Sequence, residues 1–233
     1  YTRYASRKDF TENHIQYEIH NEYIYGRSPM DIVSIWLKWQ GRRTYDKIVF
    51  KPCKYFEYDI YGENVYNMWT GWVYQYDEHY TIDHSLIENI LYHLKVVVCK
   101  GNDYMYEYVL NLWKLILLGK KTGIGLGIYG VQGSGKSTII EWFGLQIIGE
   151  KYYAYVQSLD DLTCRFSSLR CMKSFIVVDE IDTWSGDRKT ANKLKSILTQ
   201  TKTKLEIKNK EAVNIDDYAN FTFISNYKNF LCI

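Results

Sequence analysis

Runs of apolar residues in this chain change period along its length. Over 83–99, Leu86, Ile87, Ile90, Leu91 and Leu94 recur at helical spacing, with Asp83 as a cap and Gly101 as a stop. A second helix is predicted from Asn102 or Asp103 to about Leu118, ended by Gly119. An apolar-periodic stretch over 30–39 reads as a short helix, and 48–50 as a short strand. Beyond residue 121 the pattern alternates. Strands are expected at 125–129, 152–156, 175–178 and 221–224. Helices are expected at 136–148, 159–168 and 189–199, and a hairpin at 205–215 turning near Asn209. Phe175-Ile176-Val177-Val178 is apolar without alternation, as in a strand buried on both faces of a parallel sheet. Strand–helix alternation of this kind predicts an α/β fold with a parallel sheet.

Composition separates the same two regions. Seventeen of 23 tyrosines and all five histidines precede residue 121. The expected organisation is therefore a smaller, partly helical, aromatic-rich region over 1–120 and an α/β core over 121–233. At 46% hydrophobic and 24% charged, the chain has the makings of a packed core and is not a disordered segment. The apolar run at 108–118 is broken by Asn111 and Lys114, so no segment reads as a bilayer span, and no membrane partner is expected. Five scattered cysteines contain no C-x-x-C pair, which fits a reducing, intracellular compartment better than a disulfide framework. The first residue is Tyr1 rather than Met, and the expectation is a fragment of a longer protein.

Three motifs carry chemistry. Gly130-Val131-Gln132-Gly133-Ser134-Gly135-Lys136-Ser137 fits G-x-x-x-x-G-K-[ST] and stands between a predicted strand and a predicted helix. Glycines let backbone N–H groups curl around a phosphate chain, and the helix start adds partial positive charge. Lys136 can reach β- and γ-phosphates, and the Ser137 hydroxyl can ligate Mg²⁺; Thr138 completes the expected nucleotide-binding set. The 175–178 strand then delivers Asp179 and Glu180 at its C-terminal end, where open α/β sheets bind ligands. Asp179 is expected to hold Mg²⁺ through water, and Glu180 to orient and deprotonate an attacking water. The 221–224 strand ends in Ser225-Asn226, and Asn226 is expected to hold the lytic water or sense the γ-phosphate. ATP and Mg²⁺ are the implied cofactors, and Lys136, Asp179, Glu180 and Asn226 the expected catalytic set.

Charge adds one further candidate. Residues 187–210 hold eight basic and two acidic side chains, with Lys208 and Lys210 flanking the predicted hairpin tip. Such lysines either ride on nucleic-acid phosphates or protect an exposed strand edge. His79, His84, His93 and Cys99 match no metal-ligand spacing and read as structural. Trp69, Trp72 and Trp113 read as core, with base stacking as the alternative.

The ordered set of motifs resembles the viral superfamily 3 helicases. The likeness is to the helicase part of the primase–helicases of large DNA viruses, including the poxvirus type, and of related phages and plasmids. Upstream, Tyr66-Asn67-Met68-Trp69-Thr70-Gly71 resembles the Tyr-Asn-x-Trp-x-Gly element of that group, and Tyr106 to Trp113 resembles the helix before its first strand. The resemblance implies an AAA+-type P-loop ATPase forming a homo-oligomeric ring, usually a hexamer, on single-stranded or forked DNA in an infected host cell. It implies a lysine-bearing pore hairpin, for which Lys208 and Lys210 are the candidates, and a linked primase domain in the full-length protein. It also implies an arginine finger downstream of the Asn motif, whereas the last arginine is Arg188 and seven residues follow Asn226. The expectation is thus a core cut short at its C-terminal end that binds ATP and turns it over slowly. Rival readings are a packaging or loading ATPase, or a nucleotide-gated assembly protein without helicase activity.

Overall fold

The computed structural model describes residues 18–19, 30–31, 36–53, 62, 64–74, 79, 83, 85, 87–158, 162, 170–179, 188–205 and 213–228. The chain divides into two compact units, Tyr1–Lys47 with Tyr58–Tyr66, and Ile48–Glu57 with Asn67–Ile233.

In the first unit, β1 (Glu18–Ile19) pairs antiparallel with β2 (Met30–Asp31). The helix expected over 30–39 therefore begins as strand, because backbone pairing to an upstream segment overrides local periodicity. Among the described residues of that stretch 36–38 are helical, and Trp36 and Trp39 stay exposed. Tyr45 packs on Tyr66 with ring centroids 5.1 Å apart, and the Asn64 amide donates to the Thr44 carbonyl at 2.7 Å. Strands β3 (Lys47–Val49) and β4 (Val65–Asn67) fall at the division between the units.

The second unit is a mixed α/β fold. Helix α1 (Glu88–Tyr92) runs directly into a π-helical turn, His93–Val98. It starts later than the sequence suggests, since Asp83 accepts from the Ser85 N–H and hydroxyl in a local turn. Helix α2 (Asp103–Leu117) is capped by Asn102, whose side chain accepts from the Met105 N–H at 3.1 Å. It stops at Gly119, whose φ is +68°; a Cβ there would lie 1.6 Å from the Pro52 carbonyl oxygen, so only glycine fits.

Next come β5 (Gly125–Tyr129), α3 (Lys136–Trp142) with a π turn over Phe143–Ile148, β6 (Tyr153–Val156) and β7 (Phe175–Val178). They are followed by α4 (Arg188–Thr199), β8 (Lys202–Leu205), β9 (Val213–Asp216) and β10 (Asn220–Ser225). Four strands form one parallel sheet in the order β5-β10-β7-β6. The hairpin pairs Lys202 with Asp216 and Leu205 with Val213, so it begins three residues earlier than expected. Its tip near Asn209, and the helix predicted over 159–168 apart from Leu162, lie outside the described residues.

Both faces of the sheet are covered, which explains the unbroken apolar run of β7. One face carries Leu126, Ile128, Phe175, Val177 and Ile224 against Leu112, Trp113 and Ile116 of α2 and Ile139 and Ile140 of α3. Trp113 stacks on Phe143 at 4.2 Å, and Phe143 meets Phe175 edge-on at 5.2 Å. Trp69 and Trp72 pack against the same cluster, so all three tryptophans serve the core. The other face carries Ile176, Val178, Phe221 and Phe223 against Leu194, Ile197 and Leu198 of α4. At the start of β10, Lys121 and Asp217 form an ion pair of 3.0 Å that is almost wholly buried. Asp217 also accepts from the Gln200 amide at 3.0 Å and the Ala219 N–H at 2.9 Å.

Candidate active site

Parallel pairing sends the C-terminal ends of β5, β7 and β10 to one edge. Tyr129 lies beside Ser225, and Val178 beside Phe223. The residues that follow each strand therefore meet there: loop 130–135, Asp179 and Asn226. A cavity of about 290 Å³ opens between them, lined by Gln132, Gly133, Gly135, Lys136, Ser137, Thr138, Asp179, Ile224 and Asn226.

Lys136 begins α3 and is buried. Its ammonium folds back into the loop, donating to the carbonyls of Gly130 at 2.8 Å and Val131 at 2.9 Å. The Ser134 hydroxyl and the Asn226 side-chain oxygen lie 3.4 Å from the same nitrogen. A buried cation held mainly by neutral carbonyls has no full counter-charge among these partners, which is the electrostatic condition that favours an anionic ligand. At the next residue, the Ser137 hydroxyl donates to the Asp179 carboxylate at 2.8 Å. A hydroxyl and a carboxylate are hard oxygen donors of the kind Mg²⁺ accepts. The donor set and the loop thus fit a nucleotide phosphate chain with Mg²⁺.

The structure brings together Lys136, Ser137, Asp179 and Asn226 from three separate motifs. Gly133 and Gly135 both have positive φ, +77° and +79°, and among the described residues no heavy atom outside the adjoining ones stands within 4 Å of a Cβ built on Gly133. Val131 is exposed and enters through its carbonyl alone. Glu180, Lys208 and Lys210 lie outside the described residues.

Among the described residues, two further side chains reach this site. The Tyr155 hydroxyl, on the neighbouring strand β6, donates to the same Asp179 oxygen that Ser137 reaches. Burial first, and then that hydrogen bond, push the Tyr155 phenol above its ordinary pKa, so it stays a donor. Position 155 in a predicted strand ending beside β7 was the available signal, but pairing order was needed to use it. The second is His93, whose ring nitrogen Nε2 lies 3.1 Å from the Gly135 carbonyl. No spacing rule joins a histidine to a loop residue 42 positions away.

Comparison with known proteins bears on the fold. A family described as "Family of unknown function (DUF5906)" matches residues 128–231. No curated protein matches the chain. Among solved structures, the apo C-terminal region of NrS-1 is similar over 99% of this chain and 51% of that one, with a TM-score of 0.71 and 18% identity. That likeness is one of fold. The A-form apo structure of the same region gives a TM-score of 0.62 and 20% identity, over 77% of this chain and 42% of that one. The chain thus spans about half the length of the structures it matches.

Proposed function

We propose that this chain is the helicase part of a viral-type primase–helicase, an AAA+-type ATPase of superfamily 3 that couples ATP hydrolysis to movement on single-stranded DNA. The observation that carries the reading is the convergence of Lys136, Ser137, Asp179 and Asn226 on one cavity at the C-terminal edge of a parallel sheet. The fold likeness to the C-terminal region of NrS-1 supports it.

In this reading the loop N–H groups of residues 130–135 hold the phosphate chain. Lys136 exchanges its bonds to Gly130 and Val131 for β- and γ-phosphate oxygens. Ser137 and Asp179 would hold Mg²⁺, Asp179 through water. Bound Mg²⁺ would neutralise phosphate charge and favour departure of the β-phosphate oxygen. Glu180 takes a proton from the attacking water, whose oxygen bonds to the γ-phosphorus as the bond to the β-bridging oxygen breaks. Asn226, already beside the Lys136 ammonium, orients that water or the γ-phosphate. Lys208 and Lys210 contact the DNA backbone, and subunits assemble as a homo-oligomeric ring around it.

The test is ATP hydrolysis with and without single-stranded DNA, paired with strand displacement on a forked duplex. DNA should stimulate hydrolysis, Lys136→Ala should abolish it, and Lys208→Ala/Lys210→Ala should remove the stimulation. Hydrolysis indifferent to DNA, with no displacement, would overturn the helicase while sparing the ATPase.

A further inference from the structure

We infer that His93 is a positioning residue for the phosphate loop, an inference that rests on the nucleotide-binding reading of that loop. A carbonyl oxygen only accepts, so the 3.1 Å contact requires a proton on His93 Nε2, donated to the Gly135 carbonyl. The ring also fills the place of a side chain. A Cβ on Gly135 would lie 2.6 Å from His93 Cε1 and 2.7 Å from Nε2. Gly135 is therefore glycine both for its φ of +79° and for the imidazole pressed against it.

The consequence follows from peptide geometry. The Gly135 carbonyl and the Lys136 N–H belong to one planar trans unit and point in opposite directions. Fixing the carbonyl from outside fixes the direction of the N–H. That N–H leads the residue whose ammonium and neighbours line the cavity. Among the described residues, the other bond to that carbonyl is a long 3.4 Å one from the Ile139 N–H, and Gly135, the N-cap, has no side chain of its own to fix the helix start. His93 also opens the π-helical turn His93–Val98. Such turns recur at functional sites. Helix α1 and its π turn thus bear on the nucleotide site through one hydrogen bond.

The experiment is titration of the whole chain with a fluorescent ATP analogue and Mg²⁺, for wild type, His93→Ala, His93→Phe, His93→Gln and Lys136→Ala. Melting curves report folding in parallel. Loss of one hydrogen bond should weaken binding about fivefold in the Ala and Phe variants. Gln, whose amide donates at similar reach, should bind within about twofold of wild type by the same argument. A Phe variant that binds like wild type, or a Gln variant no better than Ala, overturns the role of His93. If Lys136→Ala binds undiminished, or wild type does not bind, the phosphate-loop reading fails and takes this inference with it.

Discussion

Gly135→Ala probes both the backbone and the packing of the loop. The residue has φ of +79°, where a side chain costs about 1–2 kcal/mol. The new methyl group would stand 2.6 Å from the His93 ring, which must swing away and give up its bond to the Gly135 carbonyl. That loss adds about 1 kcal/mol. Alanine also narrows the unfolded ensemble, which offsets about 0.4–1 kcal/mol. The net expectation is destabilisation by about 1–2.5 kcal/mol. Urea unfolding followed by tryptophan fluorescence measures it, provided the slope is unchanged. In a His93→Ala background the ring and its bond are already gone. The same substitution should then cost about 1 kcal/mol less, the coupling between the two sites. A Gly135→Ala protein as stable as wild type, or one losing the same amount in both backgrounds, would refute the reasoning.

Three other substitutions address different parts of the account. Asp217→Asn leaves Lys121 buried without its carboxylate and should cost about 3–5 kcal/mol at pH 7, read by urea unfolding. Burial lowers the Lys121 pKa below 10.5 and Asp217 opposes that shift, so in the variant the charged lysine is penalised further. That penalty is full below the folded-state pKa and fades as pH rises toward the unfolded value; the variant should regain stability as pH rises toward 10.5, and a flat profile would contradict this. Tyr155→Phe removes a hydroxyl that reaches the same Asp179 oxygen as Ser137. It should raise the Mg²⁺ concentration for half-maximal ATP hydrolysis about fivefold without changing metal-free nucleotide affinity; an unchanged Mg²⁺ dependence would count against it. Glu180→Gln should retain ATP binding and stop turnover, and normal turnover would refute the general-base assignment.

The legible parts of the fold are those with a local cause. Four consecutive apolar residues at 175–178 had to be buried on both faces, and they lie between β10 and β6 in the sheet. Asn102 and Gly119 bound α2 because a cap and a positive φ are written in single residues. The phosphate-loop pattern and the strand ends at Asp179 and Asn226 were readable for the same reason. What long-range pairing decides was not. Met30 and Asp31 follow a helical stripe, yet they pair with Ile19 and Glu18. The ion pair of Lys121 with Asp217 joins residues that only the sheet brings together. His93 looked like any histidine on an apolar-faced helix. Its contact with Gly135 depends on how α1, its π turn and the loop pack.

The central claim is that loop 130–137 binds a nucleotide through Lys136. Calorimetric titration of ATP with Mg²⁺ into wild type and Lys136→Ala tests it most directly. Charge-assisted hydrogen bonds lost with the ammonium predict saturable binding by wild type and an affinity about ten- to a hundredfold weaker in the variant. Equal affinities, or no binding by wild type, would contradict the account.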